Sequence, residues 1–290
     1  HYCRNQKKTG RICWQQAAPM QAEATFSGKF KQIRSLLHIF AACKHTFGAE
    51  MTKLSVNINK IATLRNARGG NMPDVTKAAI DCETFGAEGI TVHPRPDGRH
   101  IRYDDVRAIR PLVRTEFNIE GNPIQSFIDL VLETAPDQVT LVPDAENAIT
   151  SDGGWDTIKH RDFLTEICSA FKSRGIRTSI FINADPAMAE GAARCGCDRV
   201  ELYTGPYAEM YSHDREAAIK PFMDAAKAAR ECGIGLNAGH DLNLDNLNFF
   251  IRNIPWTDEV SIGHAIICDA LYMGLQPTIQ AYLKEIRNAF

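Results

Sequence analysis

Eight short apolar segments recur after residue 51, and they constrain the fold more than any other feature of the sequence. Each is rich in β-branched residues, has the length of a strand, and most are followed by a stretch with helical periodicity. Strands that alternate with helices form parallel sheets with right-handed crossovers. The predicted strands are Leu54–Ile58, Gly89–His93, Phe117–Glu120, Gln138–Pro143, Arg177–Ile182, Arg199–Thr204, Gly233–Ala238 and Glu259–His264.

The number of repeats favours a closed barrel. Eight strands in about 240 residues are typical of a (β/α)₈ TIM barrel, whereas an open doubly wound sheet usually has five or six strands and a glycine-rich first turn. No G-x-G-x-x-G follows the first strand. The predicted fold class is therefore α/β, a (β/α)₈ barrel. Its predicted helices include Val75–Phe85, Gln125–Thr134, Phe163–Arg174, Pro186–Cys195, Ala217–Cys232 and Leu244–Asn253, with Ile266–Phe290 as the closing helix.

Residues 1–50 differ from the rest of the chain and are predicted to be an irregular basic extension outside the mature fold. They hold 8 of the 33 Lys+Arg and 2 of the 35 Asp+Glu, so residues 51–290 carry a net charge of 25 − 33 = −8. They read either as a transit-like leader or as an upstream extension joined to a protein that starts at Met51. We favour the second interpretation, and assign the catalytic domain to residues 51–290.

Composition argues against several classes of function. A negatively charged domain has no general affinity for nucleic acid, and no apolar run is long enough for a membrane span. The nine cysteines are scattered, without the paired spacing of a zinc site. We expect a cytoplasmic protein with no metal site.

Polar residues stand at the ends of the predicted strands, where a barrel of this type places its chemistry. A lone histidine at such a place is more often structural than catalytic. Glu201 is different, because it lies within an apolar run and a buried carboxylate needs a cation or a substrate. Convergence on one rim favours function. The strand-end residues are Asn57, Asn59, His93, Arg95, Glu120, Glu201, Thr204, His240, Gly263 and His264.

The residue types indicate acid and base catalysis. There is no G-x-S-x-G nucleophile motif, and no lysine ends the sixth strand where many barrel aldolases form a Schiff base. Imidazoles and carboxylates are therefore interpreted as proton-transfer groups. The alternative is a metal site with three histidine ligands, His93, His240 and His264, but no H-x-H pair supports it.

Two groups of residues suggest two bound anions. Glycines with histidines follow strands seven and eight, where backbone N–H groups and a helix N-terminus can face a phosphate. Arg68 follows the first strand, and Arg95 and His100 follow the second. The long connection Asp144–Arg161 is predicted to be a lid that excludes water.

Four motifs together resemble the pyridoxine 5′-phosphate synthase family across residues 51–290. They are Asn57-Ile-Asn-Lys-Ile-Ala-Thr-Leu-Arg-Asn-Ala-Arg68-Gly, Gly89-Ile-Thr-Val-His93-x-Arg95-x₄-His100-Ile, Asn237-Ala-Gly-His240 and Ile262-Gly-His264-Ala-Ile-Ile. The resemblance implies a cofactor-free condensation of 3-amino-2-oxopropyl phosphate with 1-deoxy-D-xylulose 5-phosphate that releases phosphate and water. It also suggests a homo-oligomer, an octamer built from dimers.

The resemblance further implies a role for each matching residue. Glu120 would be the general base, His93 a second acid/base group, His240 the proton donor on the opposite side, and Glu201 a stabiliser of charged intermediates. Asn57, Arg68, Gly263 and His264 would hold the aminoketone phosphate, and Arg95, His100 and Thr150 the deoxyxylulose phosphate.

Three positions depart from the pattern of many family members, and they are assigned to substrate binding. Asn59 and Lys60 stand in place of Asp-His, and Asp241 stands in place of Gly. Asn59 cannot act as a charged base, and Asp241 adds negative charge near a phosphate-binding loop. Two rival hypotheses remain, namely a phosphosugar isomerase or aldolase on the same barrel, and a barrel that only binds a phosphorylated metabolite.

Overall fold

A computed structural model describes residues 51–144 and 151–290, which form a closed barrel of eight parallel strands. The strands pair in chain order, and β8 closes the barrel on β1. The predicted (β/α)₈ fold is confirmed. The strands are β1 (Lys53–Asn57), β2 (Gly89–Val92), β3 (Glu116–Gly121), β4 (Gln138–Leu141), β5 (Arg177–Ile182), β6 (Arg199–Leu202), β7 (Gly235–Ala238) and β8 (Glu259–Ile262).

Helices follow the strands and surround the barrel. The six helices predicted between strands are present, with ends that differ by at most three residues. The helices are α1 (Asn59–Asn66), α2 (Val75–Thr84), α3 (Tyr103–Ile109), α4 (Gln125–Thr134), α5 (Arg161–Lys172), α6 (Pro186–Arg194), α7 (Gly205–Tyr211), α8 (Arg215–Glu231), α9 (Leu247–Asn253), α10 (His264–Met273) and α11 (Leu275–Arg287).

The C-terminal segment differs from the prediction. A single closing helix over Ile266–Phe290 is wrong, because α10 ends at Met273 and α11 begins at Leu275, with Gly274 between them. Gly274 has φ +85°, a conformation that a helix interior does not contain and that glycine adopts without steric cost. The short helices α1, α3 and α7 were not predicted. Along the described ranges, no helix has the length and apolar character needed to cross a membrane.

The two faces of the strands have opposite character. Residues that alternate along each strand, such as Val200 and Leu202 on β6, are fully buried in an apolar cluster shared with the surrounding helices. The intervening positions face the barrel axis and are mainly polar. Ser55 and Thr91 hydrogen-bond through their hydroxyls at 2.7 Å, and Asn118 accepts a hydrogen bond from Thr140 at 3.2 Å. The apolar core therefore forms a ring around a polar axis.

Charged residues occupy the axis near the amino ends of the strands. Arg177 is paired with Glu116, and Arg199 Nη1 lies 3.5 Å from Glu259 Oε2. Burial, together with the nearby Glu116 carboxylate, raises the pKa of Glu259 well above its ordinary value. Polar groups at this rim of a barrel are associated with stability rather than chemistry.

Part of the long connection after β4 is described, and it lies against β5. The Trp155 N–H donates to the Phe181 carbonyl at 2.8 Å, and the Gly154 N–H donates to Asn183 Oδ1 at 3.0 Å. A Cβ on Gly154 would lie 2.3 Å from the Ile182 backbone, so only glycine allows this approach. Residues 154 and 155 are thus fixed to the barrel. Residues 1–50, predicted as an extension, and residues 145–150 lie outside the described ranges.

Candidate active site

A cavity of about 380 Å³ opens at the carboxyl ends of the strands, where barrel enzymes place their chemistry. Of the fourteen residues predicted to act in catalysis or substrate binding, twelve line this cavity. They are Asn57, Asn59, Lys60, His93, Arg95, His100, Glu120, Glu201, His240, Asp241, Gly263 and His264.

The other two predicted residues do not line the cavity. Arg68 is exposed beyond the end of α1 and is absent from the cavity wall. Thr150 lies outside the described residues. The α1 arginine that is buried is Arg65, which forms an ion pair with Asp105 of α3 at 2.5 Å. The Arg65 guanidinium therefore joins two helices rather than contributing to the cavity.

Hydrogen bonds from the end of β1 and the start of α1 hold Glu120 and His93 side by side. Asn57 Nδ2 donates to Glu120 Oε2 at 3.3 Å, and His93 Nδ1 lies 3.7 Å from the same oxygen. Asn59, the first residue of α1, accepts from the His93 backbone N–H at 2.9 Å. Asn57 therefore fixes the carboxyl group of Glu120, and Asn59 fixes the backbone of His93.

Two carboxyl groups share the floor of the cavity. Burial, strengthened by the negative charge of Asp144, raises the pKa of Glu120 to about 8. Glu201 is 3% exposed, and its Oε2 has no hydrogen-bond partner among the described residues. Burial and the nearby Glu120 raise the pKa of Glu201 well above its usual range. Glu120 is thus able to gain or lose a proton near neutral pH.

The two histidines on opposite sides of the cavity have opposite protonation preferences. Burial and the positive charge of Arg95 lower the pKa of His93 well below its ordinary value. Burial alone would lower the pKa of His240 too, but the hydrogen bond and charge of Asp241 outweigh it and raise that pKa. His93 is therefore neutral at pH values where His240 retains its proton.

His240 is held by Asp241 and by the end of β6. Its Nδ1 lies 2.6 Å from Asp241 Oδ2, and the Asp241 backbone N–H donates to Thr204 Oγ1 at 3.2 Å. The Tyr203 ring meets the imidazole edge to face, with centroids 5.7 Å apart. Nδ1 faces the carboxylate, and this contact fixes the orientation of the imidazole ring.

Basic groups gather at the side of the cavity formed after β2. The exposed Lys60, together with Arg95, faces His100, and burial followed by these charges lowers the pKa of His100 to about 4. His100 Nδ1 accepts from the Ile101 N–H at 2.9 Å, so the neutral ring carries its proton on Nε2. This wall offers two cations and an N–H donor to an anion.

Glycines let the last two strands approach the site closely. A Cβ on Gly239 would lie 1.9 Å from the Ser261 carbonyl oxygen, and one on Gly263 would lie 3.0 Å from Asn57 Cβ. Gly263 precedes α10, whose first residue, His264, is exposed at the cavity. The N–H groups and dipole of a first helical turn favour an anion at this second wall.

Sequence reasoning missed Asp144 and the polar Ser151 and Ser261. Ser151 and Ser261 line the cavity, and Asp144 lies behind His93 and Arg95. The strand-end rule would have found Asp144, because it follows the predicted fourth strand by one residue. Within the described ranges, no group of three or more His, Cys, Asp or Glu residues is arranged to hold a metal ion.

Comparisons of the sequence agree on one family. The family described as pyridoxal phosphate biosynthesis protein PdxJ matches residues 54–288. A pyridoxine 5′-phosphate synthase of Cytophaga hutchinsonii is 65% identical over 238 residues, which are 82% of this chain and 100% of the relative. The protein of the same name from Bacteroides thetaiotaomicron is 66% identical over 237 residues, with the same coverage.

Comparisons of the structure agree on the fold. The 3-keto-L-gulonate-6-phosphate decarboxylase of Vibrio cholerae superposes with a TM-score of 0.59 at 11% identity, over 83% of this chain and 100% of that one. A phosphoribosylanthranilate isomerase of Thermotoga maritima superposes with a TM-score of 0.51 at 14% identity, over 82% and 99%. At such identities the likeness concerns the barrel alone.

Proposed function

The chain belongs to the family of pyridoxal phosphate biosynthesis protein PdxJ, and on that premise we propose that it is a pyridoxine 5′-phosphate synthase. It condenses 3-amino-2-oxopropyl phosphate with 1-deoxy-D-xylulose 5-phosphate. The products are pyridoxine 5′-phosphate, inorganic phosphate and water. The reaction proceeds by acid and base catalysis, and the proposed mechanism uses no metal or cofactor.

One observation carries the proposal, namely that a neutral imidazole and a protonated one face the same cavity across a titrating carboxyl group. His93 has a lowered pKa, His240 a raised one, and Glu120 a pKa of about 8. Groups whose pKa values are driven apart in one site can act as acid and base at the same pH. A condensation that closes a ring needs both at once, because it removes protons from one atom and protonates leaving oxygens on another.

The roles follow from these protonation states. Glu120 and His93 accept protons from the substrate amine and carbon, and their 3.7 Å separation lets them share this task. His240 donates a proton to departing oxygen, and the Asp241 carboxylate stabilises its cation. Glu201, deep in the cavity, stabilises charged intermediates.

Two walls of the cavity suit the two phosphates. Arg95 and His100, with Thr150, bind the phosphate of deoxyxylulose phosphate, and the position of Lys60 beside His100 supports an anion there. The opposite wall, around Gly263 and His264, binds the aminoketone phosphate together with Asn57, whereas Arg68, assigned to the same phosphate by the resemblance, does not line the cavity. Holding two reactants in register can supply effective molarities of about 10⁵ M or more in well-oriented systems.

The departures from the common family pattern are compatible with activity. Asn59 accepts a hydrogen bond from the His93 backbone and needs no charge to do so. Asp241 contacts His240 rather than standing alone near a phosphate. We assign Lys60 to phosphate binding and retain Asn59 and Asp241 as residues of the substrate pocket.

Three further assignments belong to the proposal. The catalytic unit is residues 51–290, whose extent agrees with the match over residues 54–288. The enzyme acts in the cytoplasm on small molecules and binds neither nucleic acid nor membranes. It assembles as a homo-oligomer, for which the family resemblance suggests an octamer, and light scattering of the purified protein measures this directly.

The decisive experiment incubates the full chain with both precursors and measures pyridoxine 5′-phosphate by mass spectrometry and phosphate by a coupled assay. We expect both products in equal amounts, and only when both precursors are present. Conversion of a single sugar phosphate without phosphate release would indicate the isomerase or aldolase. Binding of either precursor without any turnover would indicate a barrel that only binds metabolites.

A further inference from the structure

Asp144 is an acidic residue that none of the assigned roles uses, and it lies directly after β4 beside the cavity. Its side chain is 6% exposed, and its Oδ2 contacts groups from three parts of the chain. Arg95 Nη2 lies 2.5 Å away, the Ser151 hydroxyl donates at 2.8 Å, and His93 Nε2 lies 3.7 Å away. Asn122 Nδ2 donates to the Asp144 backbone carbonyl at 2.8 Å and fixes the main chain.

A carboxylate this deeply buried is costly unless its partners require it. The partners here are two residues to which we assign substrate chemistry, rather than groups of the apolar core. His93 is bracketed, with Nδ1 toward Glu120 and Nε2 toward Asp144 at equal distances of 3.7 Å. A carboxylate that served only to join β4 to its neighbouring strands would not need to contact both His93 and Arg95.

We propose that Asp144 is a positioning residue for the reaction, whose carboxylate holds the Arg95 guanidinium and the His93 imidazole in the arrangement that the substrates meet. This inference rests on the proposed function. Arg95 has a planar fork of five N–H donors, so a carboxylate on one edge orients the remaining donors toward a phosphate. Asp144 thereby fixes both the orientation of the Arg95 guanidinium that binds the phosphate and the rotation of the His93 imidazole.

The protonation of the site supports the same reading. His93 stays neutral although two acids face it, because burial and then the positive charge of Arg95 lower its pKa, and because Glu120 is itself largely protonated below its pKa of about 8. Burial raises the pKa of Asp144, and its contacts with Ser151 and Arg95 act in the opposite direction. Asp144 is in turn a cause of the raised pKa of Glu120.

The consequence for kinetics differs from that of an ordinary structural residue. Asp144→Asn removes a negative charge from the wall that receives a phosphate dianion, and this gain offsets the looser hold on Arg95, so KM for deoxyxylulose phosphate should change little. The same change releases Arg95 and His93 from their orientation, and kcat should fall about 10- to 100-fold, the scale expected for misplacement of reacting groups. Loss of fold would raise KM and lower kcat together.

A shift in pH dependence provides the second readout. The titratable or charged groups that face Glu120 are His93 after β2, Asp144 after β4 and Glu201 on β6, while Asn57 on β1 is a neutral donor. Of these, the variant changes only Asp144. With one negative charge removed, the pKa of Glu120 falls, and the limb of kcat that rises with pH should move to lower pH.

The test compares Asp144→Asn, Asp144→Glu and Asp152→Asn with the wild type in steady-state kinetics and thermal unfolding. Asp152 is an exposed acid of the same loop, and its substitution should leave kcat within about twofold, as for a typical surface change. Asp144→Glu keeps the charge and should recover more of kcat than Asp144→Asn does.

The outcomes separate this inference from the proposed function. If the wild type forms no pyridoxine 5′-phosphate, the proposed function fails. If the wild type is active and Asp144→Asn retains kcat within twofold, the positioning role is wrong while the function stands. A parallel loss of kcat, rise of KM and lowered melting temperature would also overturn it, since that pattern is structural.

Discussion

The pairing of His240 with Asp241 leads to a prediction about pH dependence. Asp241→Asn keeps the shape of the side chain and removes its charge. Desolvation of the His240 ring is then opposed only by the more distant charges of Glu201 and Asp144, so the pKa of His240 falls relative to the wild type. The sign follows from the chemistry. His240 acts as an acid, so its catalytic proton is lost at a lower pH in the variant than in the wild type.

The size of the effect follows from the geometry. An opposite charge within about 4–6 Å shifts a pKa by roughly 1 to 3 units, and this pair lies 2.6 Å apart. Because the side chains are 29% and 39% exposed, solvent screens the pair, and we take the lower end, about 1 unit. At pH values above the His240 pKa of both proteins, the protonated fraction of His240 is about tenfold lower in the variant. At pH values below both, it is unchanged.

The assay is kcat for phosphate release between pH 5.5 and 9.5 at saturating substrates. We expect the limb of kcat that falls with increasing pH to move down by about 1 unit in Asp241→Asn, with little change of rate at its acidic end. Asp245→Asn is the matched control, because Asp245 is an exposed acid of the same loop without contact to the imidazole. Superimposable profiles of Asp241→Asn and wild type would refute the reasoning.

Three other changes test separate parts of the structure. Glu120→Gln should lower kcat by about 10²- to 10⁴-fold while calorimetry still detects substrate binding, as expected for the loss of a general base. Gly239→Ala should destabilise the protein by about 1–3 kcal/mol in urea unfolding, since its Cβ would lie 1.9 Å from the Ser261 carbonyl, whereas Gly153→Ala meets no atom within 4 Å and serves as the control. A chain that begins at Met51 should retain the kcat of the full chain, and inactivity of that folded fragment would show that residues 1–50 are required.

The strands were predictable because their apolar runs are required by the ring-shaped core. The helices that were missed have reasons of their own. The helix α1 is short and polar, and it starts two residues after β1, within a motif that reads as a site rather than as a helix. The helix α7 begins with Gly-Pro, which in sequence resembles a turn. The division between α10 and α11 depends on the backbone angle of one glycine within a continuous helical pattern.

The candidate site was predictable to the extent that strand ends define it. The rule found His93, Glu120 and Glu201 because each directly ends a strand or lies within its last residues. It could not show that Arg68 lies away from the cavity, since that depends on where α1 ends and which way the chain leaves it. It also could not show that Asp241 pairs with His240, because two adjacent residues reach each other only in particular rotamers.

The polar axis within an apolar ring has a consequence for the tolerance of the barrel to mutation. Adjacent positions of one strand are required for different reasons. Val200 and Leu202 on β6 face the helices and are needed for folding, whereas Glu201 faces the cavity. Substituting Val200 or Leu202 by a larger or smaller side chain should reduce the yield of folded protein. Substituting Glu201 should leave folded protein that has no turnover. A saturation scan scored separately for abundance and for growth would therefore alternate along the strand, and that alternation would distinguish residues kept for folding from residues kept for chemistry.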